Sequence, residues 1–511
     1  MPQKRLRRRT VKPQGARAPP EGAAERDAPA GEGVPAEAEG VPAEALPAES
    51  PRFEAYYRRQ GICPEAEWPQ LLAALRCGLP AAVRVNRGAH AAPALLAQLR
   101  RLREAEGEQR AYAPRELAWY PHGLAWQWDS LCSWEIRKGL THRRLKAYLL
   151  WLQDHGALTR QEAVSMVPPL CLEVRPWHSV LDLCAAPGSK TSQMLEMLHW
   201  EDAGDRALRG DLRARMFVSL FAPLRIVPKR ADVLKHSVQR LGSPCVVVTQ
   251  LDGQYFPNLT AEDGRPLLFD RVLCDVPCSG DGTIRKCPTL WGKWSPKEAL
   301  GLHHKQYTLL CRGLDLLQVG GRLVYSTCSF NPLEDEAVVA AALARCAGSV
   351  SLVPLPPLEG LCGAPGLAAW AVPHPDDAGL LWERHGEVPR ELQRRLRASL
   401  FPPEPGSEDA ASWARQCGHC RRFLPHRANS GGFFAAALER TAPAAPAERQ
   451  AGRRRRAAGE GALGGEGAGA AAEAGAAGVE AEAVGGGGAA GGAGAAGGGA
   501  QAEAQRRRRA P

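Results

Sequence analysis

The chain has no apolar run long enough to cross a bilayer, and its N-terminus lacks the apolar stretch that a secretory signal needs. Membrane insertion and export are therefore not expected. Without export, its 15 cysteines should stay reduced, most of them as small buried hydrophobes. Acidic residues are missing from positions 1–17, which hold Lys4, Arg5, Arg7, Arg8, Arg9, Lys12 and Arg17. Such an arm reads as a nuclear address or a nucleic-acid contact. Two phosphate-binding signatures are also lacking: the small-residue turn at 184–191 has neither G-x-G-x-x-G nor Gly-Lys-Ser/Thr spacing.

The 511 residues carry a net charge of +10 and a pI near 9.0. That length predicts several domains, and that charge favours a polyanionic partner, nucleic acid first. Residues 18–50 are rich in Pro, Ala, Glu and Gly, so 1–50 reads as a basic, disordered arm. Residues 441–511 are almost all Gly, Ala and Glu around two arginine blocks, Arg453 to Arg456 and Arg506 to Arg509. This composition cannot bury a core, and a disordered tail is expected. Between these lie 51–135, where helix-like stretches alternate with aromatics (Phe53, Tyr56, Tyr57, Trp119, Tyr120, Trp126, Trp128), and a core over 136–440. Basic residues among aromatics suit unstacked RNA bases, although for any single ring a core position is the better expectation.

Two short motifs carry most of the chemistry, Asp275-Val276-Pro277-Cys278-Ser279-Gly280 and Ser326-Thr327-Cys328-Ser329. The first follows an apolar stretch over 267–274 and the second one over 321–325, both reading as buried strands. Both thiols are therefore expected at the carboxyl edge of one parallel sheet, where open α/β folds bind ligands. A third apolar strand, 179–183, runs into Cys184-Ala185-Ala186-Pro187-Gly188-Ser189-Lys190-Thr191 and then a helix. Small residues there let the backbone approach a ligand, and helix-start N–H groups hold a carboxylate or phosphate. Thr159 to Glu162 reads as a capping box opening a helix. Trp291 and Trp294 read as a loop near the second ligand, with core packing an equal expectation for either. Cys417-Gly418-His419-Cys420 has redox spacing but no thioredoxin-type strand before it.

At these residues the chain resembles the Nol/Nop/Sun family of RNA cytosine-5 methyltransferases. The likeness extends to 161–170, to 331–338, to Pro425-His426 and to Gly431 through Phe434. Within the family it is most similar to the eukaryotic nuclear tRNA branch, over roughly 50–440. The resemblance implies a Rossmann-like α/β methyltransferase sheet using S-adenosylmethionine (SAM), with a smaller N-terminal RNA-contacting domain. It implies a monomer acting on RNA, tRNA in the first place, in the nucleus or its nucleolus. It implies Cys328 as the nucleophile that adds to C6 of cytosine and Cys278 as the thiol that aids release. Asp275 would touch base and donor, and Lys190 would neutralise it or lower a thiol pKa. Residues 184–190, Asp232, Asp252 and Asp275 would hold SAM, and no metal is implied. DNA cytosine-5 methyltransferases use the Pro-Cys thiol, which keeps Cys278 open as the nucleophile on spacing alone.

The main departure lies between His199 and Leu241. A second strand ending in an acidic residue should bind the ribose hydroxyls. Here Leu224 to Val227 is a poor strand before Asp232, with a short helix over 234–239 after it, then a third strand over 246–248 leading to Asp252. The tRNA branch also carries a further folded C-terminal region that this chain is expected to lack. A catalytically impaired RNA-binding protein on the same fold is thus a second expectation.

Overall fold

The computed structural model describes residues 50–443 apart from 107–109, 111, 139–141, 201–214, 220–226 and 262. The expected disordered arm and tail, 1–49 and 444–511, lie outside the described residues.

The main sheet has nine strands: β1 (Ser179–Asp182), β2 (Arg215–Ser219), β3 (Val246–Thr249), β4 (Phe269–Asp275), β5 (Leu317–Thr327), β6 (Val350–Val353), β7 (Ala364–Pro365), β8 (Arg421–Phe423) and β9 (Phe433–Arg440). Its order is β7-β8-β9-β5-β4-β1-β2-β3, with β6 also on β9. Strands β3, β2, β1, β4 and β5 run parallel, and β9 inserts antiparallel beside β5, pairing Arg322 with Glu439 through Thr327 with Phe434. This 3-2-1-4-5 order puts the topological switch point between β1 and β4, where Rossmann-like folds open a crevice.

Central parallel strands are covered on both faces, so their sequences are apolar without alternation. The alternation survives in which face each residue serves. Val180, Leu273 and Val324 join one buried cluster, while Leu181, Val272, Cys274, Leu323 and Tyr325 join another on the opposite face. On the second face lies α4 (Pro296–Leu316), started by Pro296 behind Ser295, whose hydroxyl accepts the Lys297 N–H at 3.3 Å. A Cβ on Gly313 of that helix would lie 2.7 Å from Leu323 Cδ1 and 2.9 Å from Cys274 Sγ. Glycine is what lets the helix lie so close to the strands.

A smaller antiparallel sheet orders Arg115–Glu116, Ala125–Cys132, Pro80–Val85 and Leu158–Arg160. Trp119, Tyr120, Trp126 and Trp128 are buried in its core. Arg84, fully buried, reaches across to Glu196 and to Gln161 Oε1 at 3.3 Å. Glu196 sits on α2 (Ser189–Met197), so this sheet braces the helix that opens at the 184–191 turn.

Several local expectations change. Thr159 lies in a strand rather than capping a helix, and the Glu162 carboxylate accepts the Gly431 N–H at 2.7 Å. The 267–274 stretch is broken at Leu268, since Pro266–Leu267 pairs in a hairpin with Leu259–Thr260. The first helix, α1 (Pro51–Gln60), does not join the small domain: Phe53, Tyr56 and Tyr57 pack with Trp291, Trp294 and Phe330 of the core. Trp291 accordingly lies on a short helix, Thr289–Lys293, and is buried. Aromatic area repays burial more than solvent contact, which is why these rings pack inward.

Candidate active site

The site forms where β1, β4 and β5 end. After β1, the backbone turns through Gly188 at φ +109° and enters α2. A Cβ at Gly188 would sit 3.0 Å from Ser237 Cβ and 3.1 Å from Leu234 Cδ1, on α3 (Val227–Gln239), so a side chain is strained by conformation and crowded by both neighbours. Asp182, at the end of β1, is 1% exposed. Its carboxylate accepts the Thr191 hydroxyl at 2.8 Å and the Cys184 N–H at 3.2 Å, tying the turn back to the strand. Burial pushes this carboxyl up to about 7, against those bonds.

Asp182, Cys184, Ala185, Ala186, Pro187, Gly188, Ser189, Lys190, Leu273 and Asp275 line one cavity. Across it, Lys190 Nζ lies 2.7 Å from Asp275 Oδ2 and 5.3 Å from the Phe433 ring centre. Burial works against the Lys190 charge, but the Asp275 carboxylate outweighs it and holds its pKa above the ordinary value. The other Asp275 oxygen accepts the Ser326 hydroxyl at 2.7 Å, linking the ends of β4 and β5. The sequence places Lys190 and Asp275 in separate motifs, and the structure brings them into one ion pair.

The two thiols meet at the neighbouring edge. Cys278 Sγ and Cys328 Sγ are 3.3 Å apart, both half-buried. The Cys328 contact, together with burial, drives the Cys278 pKa well above the ordinary thiol value, so the pair shares a proton between its two sulfurs. All fifteen cysteines are free thiols. Cys417 and Cys420 are buried, and burial raises both.

Two buried carboxylates hold the cysteine loops together, and the sequence analysis assigns a role to neither. Glu334 accepts from the Ser279 N–H at 2.8 Å, the Ser279 hydroxyl at 2.5 Å and the Ser329 hydroxyl at 2.7 Å. Asp281 accepts from the Phe330 N–H at 2.8 Å, from Trp294 Nε1 at 3.3 Å and from the Tyr57 hydroxyl. An acidic residue in an otherwise apolar or small-residue segment was the available signal for Asp281 and for Asp182, whereas Glu334 opens an acidic run, Glu334-Asp335-Glu336, that reads as a solvated turn.

Asp252 follows β3 at the same carboxyl edge, where its carboxylate accepts the Gln254 N–H at 3.1 Å and Gln254 Nε2 at 3.0 Å. Asp232 does not end a strand. The second strand is Arg215–Ser219, and Asp232 is exposed on α3, a 13-residue helix rather than a shortened one. The residues expected to form a strand before it begin that helix at Val227, and 224–226 lie outside the described residues. The Arg- and Leu-rich composition hid the real strand, because Met216 to Val218 is only three residues long and is followed by a longer apolar run, Leu220 to Leu224. No acidic residue stands between Ser219 and Val227.

A switch-point crevice with a glycine turn on one side and a thiol pair on the other defines a Rossmann-like fold of the methyltransferase type. A family profile described as 16S rRNA methyltransferase RsmB/F matches residues 220–439, so that stretch carries a domain of this family. A tRNA (cytosine(34)-C(5))-methyltransferase of Drosophila melanogaster is 41% identical over 405 residues, 76% of this chain and 52% of that protein. A multisite-specific tRNA:(cytosine-C(5))-methyltransferase of Saccharomyces cerevisiae is 38% identical over 407 residues, 77% of this chain and 55% of that protein. The chain thus spans about half the length of these two curated relatives. A ribosomal RNA small subunit methyltransferase F of Salmonella paratyphi C is 36% identical over 202 residues, 39% of this chain and 38% of that protein.

Proposed function

We propose that the chain is a SAM-dependent RNA cytosine-5 methyltransferase acting on tRNA as a monomer, and that its basic first residues direct it to the nucleus. One observation carries the reading: two thiols 3.3 Å apart stand beside a small cavity lined by the 184–190 turn, Asp182 and Asp275.

The residues present fit the amino-acid end of SAM. The first N–H groups of α2 and the Lys190 ammonium favour its carboxylate, and Asp182 and Asp275 favour its ammonium. The lack of a side chain at Gly188 keeps the backbone open to it. Asp252 is the residue offered to the far end of the nucleotide, and Asp232 is not, because it is exposed on a helix flank. Bound there, SAM supplies an electrophilic methyl group on a sulfonium.

Cytosine C5 is too weak a nucleophile to take a methyl group unaided. Cys328 as thiolate forms an S–C6 bond, and the ring electron pair moves to C5. After C5 is methylated its proton is removed, the pair restores the C5–C6 double bond, and the S–C6 bond breaks to return the thiolate. Cys278 assists that release rather than attacking, as the likeness of the Thr-Cys-Ser and Pro-Cys motifs implies.

The test is adduct trapping. With tRNA, Cys278→Ala should accumulate a covalent protein–RNA species that survives a denaturing gel. Cys328→Ala and the double variant should form none and transfer no methyl group. Swapped phenotypes would make Cys278 the nucleophile. A non-catalytic RNA-binding reading is favoured by one observation, the absence of an acidic residue after β2. It would prevail if wild-type protein formed no adduct with RNA containing 5-fluorocytosine.

A further inference from the structure

Glu334 is fully buried between the two cysteine loops, yet four neutral donors meet its carboxylate. Ser279, next to Cys278, gives its N–H and hydroxyl, and Ser329, next to Cys328, gives its hydroxyl. Gln306 of α4 gives its amide N–H at 2.9 Å, and the same group donates to the Pro277 carbonyl at 3.0 Å. Ser279 and Ser329 hydroxyls are themselves 3.3 Å apart. The carboxylate therefore spans the residues that directly follow each thiol and fastens both to the helix under the sheet.

A buried carboxylate is costly to keep unless its bonds do something that an apolar side chain cannot. Here that something is register. The sheet fixes β4 and β5 only as far as Asp275 and Thr327, and both thiols lie on the loops beyond. Given the two-thiol reaction proposed above, we propose that Glu334 is the positioning residue that holds Cys278 against Cys328, so that release of the adduct depends on it. It touches neither RNA base nor donor. Its loss frees Cys278 to leave its neighbour while Cys328, held additionally by the Gly282 N–H on its carbonyl at 3.0 Å, keeps its place.

The experiment compares Glu334→Ala, Glu334→Gln and Cys278→Ala in the full chain with tRNA. Misplacing a catalytic group by about 1 Å costs roughly a hundredfold in rate. Glu334→Ala should lose about that much in turnover with the KM for RNA little changed, and should accumulate the covalent species as Cys278→Ala does. Adding Glu334→Ala to Cys278→Ala should cost nothing further, since both remove the same step. Glu334→Gln should restore release: its amide oxygen still accepts from Ser279 and Gln306, and its NH2 can donate to hydroxyls that rotate to receive it. Full additivity with Cys278→Ala, or turnover lost without adduct, would overturn the proposal. If Glu334→Ala does not fold, the pair Ser279→Ala and Ser329→Ala removes the two hydroxyl bonds of the bridge while leaving the backbone N–H at 279, with a weaker effect in the same direction and the same two outcomes. Failure of wild-type protein to trap 5-fluorocytosine RNA would instead defeat the methyltransferase reading itself.

Discussion

The two ends of the crevice are built to different standards. At the β4–β5 end, each loop is tied down several times over, by Glu334, by Asp281 and by the Asp275–Ser326 bond. At the β2 end, a five-residue strand is held by ladder pairing to β1 and β3, and the acidic residue nearest after it, Asp232, is exposed on a helix. Covalent chemistry asks for reacting atoms placed within fractions of an ångström, whereas a ribose needs only hydrogen-bond partners within reach. Under the proposed function, the difference leads us to expect that binding of the donor rests on the β1 turn and on Asp252 more than on the second strand.

The strongest way to break this comparison is at Gly188. Gly188→Val combines a positive φ with contacts of 3.0 Å to Ser237 and 3.1 Å to Leu234. It should cost roughly 2–5 kcal/mol between turn stability and SAM affinity. Calorimetric titration with SAM and a melting curve measure both, and near-native binding would show that the turn is not the anchor. Asp252→Ala should weaken SAM by about 1.5–3 kcal/mol, the worth of a charged hydrogen bond. An unchanged Kd there would return ribose recognition to the β2 end.

A titration sharpens the thiol end. Burial, with the nearby Asp281 charge, raises Glu334 from the ordinary 4.5 to about 7. The folded chain then holds this proton more tightly than the unfolded chain does. Stability is fully present below about 4.5 and is lost as pH rises toward and past about 7. Glu334→Gln cannot ionise, so it should gain on wild type by an amount on the order of 1–3 kcal/mol between about pH 5 and about pH 8.5. Parallel denaturation curves at both pH values would refute that. The smallest effect is expected from Asp232→Ala, within about 0.5 kcal/mol on SAM binding, as for an exposed surface change. Abolished binding would place this carboxylate at the ribose after all.

The thiol end was legible in the sequence because each strand closes on an apolar run, Val272 to Cys274 and Leu323 to Tyr325, shortly before Pro-Cys and Thr-Cys. Parallel strands covered on both faces leave that signature. The 184–191 turn was legible for a related reason, since small residues after a strand have few other uses. The β2 end was not legible. Its strand offers three apolar residues amid arginines, and a helix that begins at Val227 was mistaken for a strand because β-branched residues favour strands in isolation. The aromatics of α1 were misassigned on different grounds: proximity in sequence put them in the small domain, while their hydroxyls find partners at Asp281 and Asn331.

That placement of α1 has a consequence for how the chain is made. Tyr57 bonds to Asp281 across 224 positions, and Tyr56 to Asn331 across 275. At the ribosome the helix emerges long before its seat exists, so Phe53, Tyr56 and Tyr57 must wait, solvated or chaperoned, until the cysteine loops have been synthesised. A nascent chain arrested ahead of residue 281 should therefore leave α1 open to protease.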